Sequence, residues 1–423
     1  MAYVSEDFVT WKHIRTTPYD MNYSPSVIPW NGKFIMTSWH HGLYISDSPT
    51  GPFEYMGDFI QIDGTELKPC DSALFLDDDG RIYIYWTGYI ETDTSFESVS
   101  MGVELDRKNP RKFLSEPVIL NRFNPDNWWE RFGTHNQDTR QSWIEGQWMI
   151  KHNGRYYLIY ATPGTEYKSY AMAAYYSDKG PLTGFVCQKN NPVTQSRNGL
   201  VSGAGHGCIV HGPDNSLWAF YTTTHCAYHP YERRIGMDPI GVDENGELYC
   251  PGVTDTPQLG FGESENPMEN NSAGLLPLTF LNRQCSASSS WVNGRETIYA
   301  FDESVLTWWQ PQPDDKEPYL KVNLRGQYVC EAMRIIWRDV NLDYDNGIVP
   351  GQYQYIIEGR EKAGEGDWYP VLDMRQNSED YTIDYRTFPP VICGELRLRI
   401  TGVPEGMQVG VTSFAVFGLR YEG

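Results

Sequence analysis

Four times along the chain a turn signal is followed at once by an aromatic-rich strand: NGKFIMTSW (31–39), DGRIYIYW (79–86), NGRYYLIYA (153–161) and, less cleanly, PDNSLWAFYT (213–222). Asn-Gly and Asp-Gly reach positive φ at little cost, so each pair marks a tight hairpin. A second element follows the first and third of these, ISDSPTGPFEY (45–55) and YSDKGPLTGFV (176–186). The repeating unit is therefore an inner hairpin, a further strand, and a polar turn into an outer strand. Four-stranded units with no helical periodicity between them are the blades of a β-propeller.

Four whole units span roughly 17–60, 64–122, 128–194 and 198–252. Ahead of them, YVSEDFVTWKH (3–13) matches only the outer part of a blade, with no inner hairpin before it. The expected fold is all-β, a five-bladed β-propeller with its first blade incomplete.

Composition narrows the partners. With 423 residues, 14% of them aromatic, the chain has enough length and apolar bulk for two or three cores. A formal charge of −21 disfavours nucleic acid, whose phosphates need a basic face. No apolar run reaches membrane-spanning length, and MAYVSEDFVTWKH lacks a secretory hydrophobic core. As written, the chain is expected to be cytoplasmic; were its first strands to precede Met1, an export signal would precede them too. The eight cysteines show no CxxC pair or zinc spacing and read as buried small hydrophobes.

In CDSALFLDDDGRIYIYW (70–86) four aspartates surround one apolar run. Asp77, Asp78 and Asp79 before Gly80 suggest a calcium loop, but its further oxygen ligands and bidentate Glu are missing. A solvated hairpin turn is the expectation for all three. Asp71, at the start of the strand, is then the acid that needs an explanation.

The order of SEDFVTW, YSPSVIPWNGKFIM, SDSPTGPF, CDSALFLDDDGRIYIYW, IEGQWMIKHNGRYYLIYA and GAGHGCIVHGPDNSLWAFY, over about 3–260, resembles glycoside hydrolase family 43. The resemblance implies an exo-acting, inverting hydrolase of arabinofuranosyl, xylosyl or related residues on oligo- or polysaccharides. It also implies three carboxylates in a central funnel. Asp71 falls where the family has the Asp that tunes the acid's pKa and orients substrate. Glu145 in IEGQWMIK falls on the general acid, with Gln147 where the family has Pro. The aromatic and apolar neighbours Trp143, Ile144, Trp148 and Met149 would raise its pKa by desolvation.

The family's general base precedes the segment matching SEDFVTW, so it is expected upstream of Met1 and no residue is assigned to it. Ser24 in YSPS is a weaker alignment to that position, and Asp20 a substitute by proximity alone. The alternative is a glycan-binding propeller without turnover.

His206 in GAGHGC is implied to stand near the propeller axis, beside a water or a metal; no cofactor is required, although a calcium ion at the centre is one occupant the resemblance allows. Arg233 and Arg234 would meet a carboxylate or sugar hydroxyl, or lie on the strand surface. Trp39, His40, His41, Trp86 and Tyr89 follow inner strands and would wall the sugar site, with core packing the alternative for the tryptophans.

Residues 1–252 are thus the expected propeller and 253–283 a Pro/Gly/Asn/Ser-rich linker. Beyond it, 284–423 alternates as a β-sandwich jelly roll. AFDESVLTWWQP, YLKVNL, MRIIW, YQYIIEGR, DWYPVLD, LRLRITG and FAVFG there resemble the discoidin family, many of whose members bind carbohydrate. Trp308, Trp309 and Tyr319 would either stack on sugars or anchor the core.

Overall fold

An Asn-Gly pair closes a two-residue hairpin by placing both residues in the left-handed region. Asn31 and Gly32 do so at φ 49° and 76°, and Asn153 and Gly154 at 50° and 82°. The computed structural model describes residues 2–6, 8, 11–14, 16, 23–91, 96–196, 199–224, 233–255, 275–280, 284–291 and 293–422. It divides into two compact units, Met1–Asn271 and Ser272–Gly423.

The first unit is the five-bladed propeller. Its first whole blade is the antiparallel sheet Ser26–Trp30, Lys33–Thr37, Leu43–Ser46 and Glu54–Gly57. The second is enlarged to seven strands around Cys70–Leu76, Ile82–Glu91 and Phe96–Asp106. Glu145–His152, Arg155–Thr162, Ala171–Ser177 and Val186–Cys187 make the third; Gly205–His211, Leu217–Thr224, Arg233–Val242 and Leu248–Tyr249 make the fourth. Among the described residues, the remaining blade is the two-stranded sheet of Ala2–Val4 and Lys12–Ile14. It lies beside the fourth, because Phe8 and Trp11 meet the Phe220 ring edge-on at 5.2 and 5.9 Å.

Apolar clusters fill the spaces between blades. Ile28, Ile35, Leu74 and Ile84 join the first whole blade to the second, and Ile159, Met172, Ile209 and Ala219 join the third to the fourth. Polar bonds add specificity: Trp148 Nε1 donates to the Ile209 carbonyl at 2.9 Å, and Tyr157 Oη to that of Gly246 at 2.8 Å.

The acidic turn differs from expectation in two ways. Residues 77–81 form a longer connection between the paired Leu76 and Ile82, closed by Gly80 N–H on the Asp77 carbonyl (2.8 Å), and only Gly80 takes positive φ. Asp77 is also not solvated. It is 4% exposed and accepts from Tyr156 Oη at 2.7 Å and Lys151 Nζ at 3.1 Å, both on the third blade. A buried hydroxyl and a half-buried ammonium across the blade interface outweigh the hydration that its sequence neighbours suggest.

In the second unit, Tyr319–Trp337 and Ile383–Gly402 pair along their whole length, with register breaks between Asn323 and Tyr328 and again near Cys330. One half of the pair continues through Gln354–Arg360 to Tyr369–Asp373, the other through Val411–Arg420. The two halves form the layers of a β-sandwich over one core that includes Leu320, Leu398, Tyr355, Ile335, Trp337 and Phe414. Leu276–Pro277 pairs with Val411–Arg420, so this unit begins within the stretch expected to be linker. The remainder of that stretch, 256–274 and 281–283, lies outside the described residues.

Trp309 is fully buried, donating to the Ser289 carbonyl at 3.0 Å, and Trp308 is 8% exposed between Arg295 and Arg338. Both are core anchors and not sugar platforms. The described cysteines are free thiols, with Cys70, Cys330 and Cys393 buried. Among the described residues no helix is long and apolar enough to cross a membrane.

Candidate active site

Each inner strand of the second, third and fourth blades slips register near its start: between Tyr85 and Thr87 opposite Cys70–Leu76, between Glu145 and Trp148, and between Gly205 and Cys208. The residues at these slips stand at positive φ: Asp71 at 48°, Gly146 at 62° and His206 at 35°. Ser24, just before the inner strand of the first whole blade, does the same at 50°. Bulges re-aim side chains, and non-glycine residues held at positive φ concentrate where geometry is functional. At Gly146 there is no room for a side chain, since a Cβ would stand 2.9 Å from the His206 ring.

The slips bring Asp71, Glu145 and His206 together, with one donor atom from each inside a 4.8 Å cluster. Asp71 and Glu145 are 6% and 8% exposed. Trp143 Nε1 donates to Glu145 Oε2 at 2.6 Å, and the Tyr170 hydroxyl donates to Oε1. Burial, above all, and the nearby Asp71 charge hold the Glu145 pKa above the usual carboxylate range, while His206 and the two donors oppose that rise. Asp71 accepts from Ser24 Oγ at 2.7 Å. Gln147, 2% exposed, is held by Thr87 Oγ1 and Ser100 Oγ, each at 3.1 Å, so the next residue after Glu145-Gly146 is locked by the second blade.

Beside these groups opens a cavity of about 360 Å³, lined by inner-strand residues of all four whole blades, among them Ser26, Asp71, Gln147 and His206, and by Ser24. On the side of the fourth blade it reaches past the inner strand to Phe220, Tyr221 and Arg233. A buried carboxylic acid set beside a second carboxylate, Asp71, that itself lines the cavity is suited to delivering a proton to a bound leaving group.

The family model for glycosyl hydrolases family 43 matches residues 2–248. The chain belongs to this family. Among curated relatives it is 24% identical over 285 residues to Beta-D-galactofuranosidase xynD of Aspergillus niger, covering 60% of this chain and 74% of that one. To a Beta-xylosidase of Xylanibacter ruminicola it is 27% identical over 158 residues, 34% of this chain and 47% of that one. The chain thus spans about half the length of the latter. A solved structure described as a glycoside hydrolase matches with TM-score 0.51 at 18% identity, over 98% of this chain and 89% of that chain. A thermostable family-43 glycoside hydrolase matches with TM-score 0.51 at 24% identity, over 61% and 86%.

Of the residues singled out by resemblance to family 43, Asp71, Glu145 and His206 meet, and Arg233 lines the cavity. Arg234 donates to the Arg233 carbonyl at 3.1 Å and is not on the lining. Trp86 is 6% exposed in the second blade's core, its ring 5.7 Å from Phe113, so it walls no sugar site. Trp39 is half-buried against Tyr23, a lining residue, at 5.9 Å, and His40 is exposed. Asp20 lies outside the described residues.

Tyr170 and Ser24 are the working partners that the sequence did not disclose. Tyr170 follows a long loop with no spacing signal, while Ser24 sits in a segment matched to a different position.

Calcium takes six to eight oxygen ligands. Asp71, Glu145 and His206 supply two carboxylates and an imidazole, and the carboxylates already accept bonds from Ser24, Trp143 and Tyr170. That set by itself does not fit a calcium ion, and no step of the chemistry is assigned to one.

Proposed function

We propose that this family 43 glycoside hydrolase removes terminal arabinofuranosyl, xylosyl or similar residues, with Glu145 as general acid and Asp71 tuning it. The observation that carries this is the buried Glu145 carboxyl set against Asp71 and His206, with Asp71 and His206 lining the cavity; burial raises the Glu145 pKa. A carboxyl that keeps its proton above the usual carboxylate range can protonate the glycosidic oxygen, and Asp71 resists its ionisation by like charge. The Aspergillus niger and Xylanibacter ruminicola relatives, named for galactofuranoside and xyloside cleavage, support the substrate class.

Inversion needs a base about 6.5–9.5 Å from the acid to leave room for water. Asp71, inside the 4.8 Å cluster, is too close to Glu145 for that task. No other described lining residue is a carboxylate, and Asp20, a substitute by proximity alone, lies outside the described residues. If ¹H NMR finds the first-formed sugar with retained configuration, Asp71 is the nucleophile and the inverting assignment fails.

A second reading, glycan binding without turnover, draws on one observation: among the described lining residues Asp71 is the one carboxylate. Release of p-nitrophenol from aryl α-L-arabinofuranosides and β-D-xylosides separates the two. Glu145→Gln is expected to lose about 10²–10⁴-fold in rate. Equal release by both proteins removes Glu145 from the acid role; no release by the wild type, with sugar binding seen by calorimetry, selects the second reading. The C-terminal sandwich we assign as a discoidin-like module.

A further inference from the structure

His152 ends the inner strand of the third blade and His211 the inner strand of the fourth. Their rings lie nearly parallel, at 26° and 5.3 Å between centroids, with Nδ1 of His152 3.1 Å from Nε2 of His211. Two imidazole nitrogens bound to one zinc-sized ion at about 2.0–2.1 Å stand about 2.8–3.4 Å apart, for bond angles from octahedral to tetrahedral. The separation of the two rings is that of a bidentate ligand pair.

We propose that His152 and His211 form a binding site for a borderline divalent transition metal (nickel, copper or zinc) bridging the third and fourth blades. Two observations support it besides the distance. The pair is anchored from below, since Trp148 Nε1 bonds the Ile209 carbonyl and Arg155 bonds the Asn245 and Gly246 carbonyls, each at 2.9 Å. The pair is reachable, because His211 is exposed and His152 half-buried.

Without an ion, one ring N–H donates to the other ring's bare nitrogen. On binding, the donor ring shifts that proton to its far nitrogen, so both inner lone pairs face the metal and no proton is lost. Water completes the shell. Imidazole donors suit nickel, copper and zinc, and hard cations such as calcium and magnesium prefer oxygen.

The test is calorimetric titration of the full chain, free of any polyhistidine tag and stripped of metal, with Ni²⁺. The wild type is expected to bind one ion at this site, weakened by about tenfold or more in His152→Gln and in His211→Gln. His206→Gln, which alters the central cluster, is expected to keep it. Unchanged affinity in the two turn variants, or no Ni²⁺ binding by the wild type, overturns the site. Should a variant fail to fold, paramagnetic broadening of the wild-type histidine ring signals decides: Ni²⁺ must broaden those of His152 and His211 first, and broadening that spares them overturns the proposal.

Discussion

Tyr170 and Asp71 act on the same proton in opposite directions. The Tyr170 hydroxyl bonds the ionised form of Glu145 and lowers its pKa, whereas the Asp71 charge raises it. If Glu145 must be protonated to act, activity falls as pH rises through that pKa, giving the alkaline limb of the kcat/KM profile. Tyr170→Phe is expected to move this limb to higher pH, and Asp71→Asn to lower pH, alongside any loss in rate. A pH–rate series on the aryl glycosides checks both signs, and shifts in the same direction would break the assignment. Neither effect requires Tyr170 to touch substrate; it is a positioning residue.

Hairpins and strands were the part of this fold most open to sequence, because Asn-Gly turns and period-two alternation act locally. The turns at Asn31-Gly32 and Asn153-Gly154 needed nothing else to be placed. Asp77 shows where local reasoning stops. Its neighbours Asp78 and Asp79 made it look solvated, yet Lys151 and Tyr156, more than 70 positions away, bury it. Asp77→Ala is expected to cost about 1–3 kcal/mol, since it strips a buried hydroxyl of its acceptor and Lys151 of one partner. Urea unfolding measures this, with Asp79→Ala, at the exposed end of the same turn, as the comparison. For the site, resemblance located Asp71, Glu145 and His206. The slips that turn these residues toward each other were not legible, because a bulge has no side-chain signature of its own. The choice left open for Trp86, sugar wall or core, turns on the same point: an aromatic beyond an inner strand faces cavity or core according to that slip, and Trp86 is in the core.

At the scale of the whole chain, the second unit starts earlier than composition implied. The Pro/Asn-rich stretch hid Leu276–Pro277, whose two paired residues carry little periodicity, and Thr279, whose hydroxyl bonds the Phe414 carbonyl at 2.9 Å. A fragment beginning at residue 272 is therefore expected to melt higher than one beginning at 284. Circular dichroism melts of the two fragments check this, and equal midpoints would return those residues to the linker.

The register slips carry one further consequence. Three of the four whole blades carry at the site a single residue out of step with its strand, Asp71, Gly146 and His206, and the first whole blade places Ser24, also at positive φ, just ahead of its inner strand. The reacting groups are thus mounted independently of the packing that holds the blades together. One letter per blade can drift, and with it the reaction, while the ring around it stays as it is.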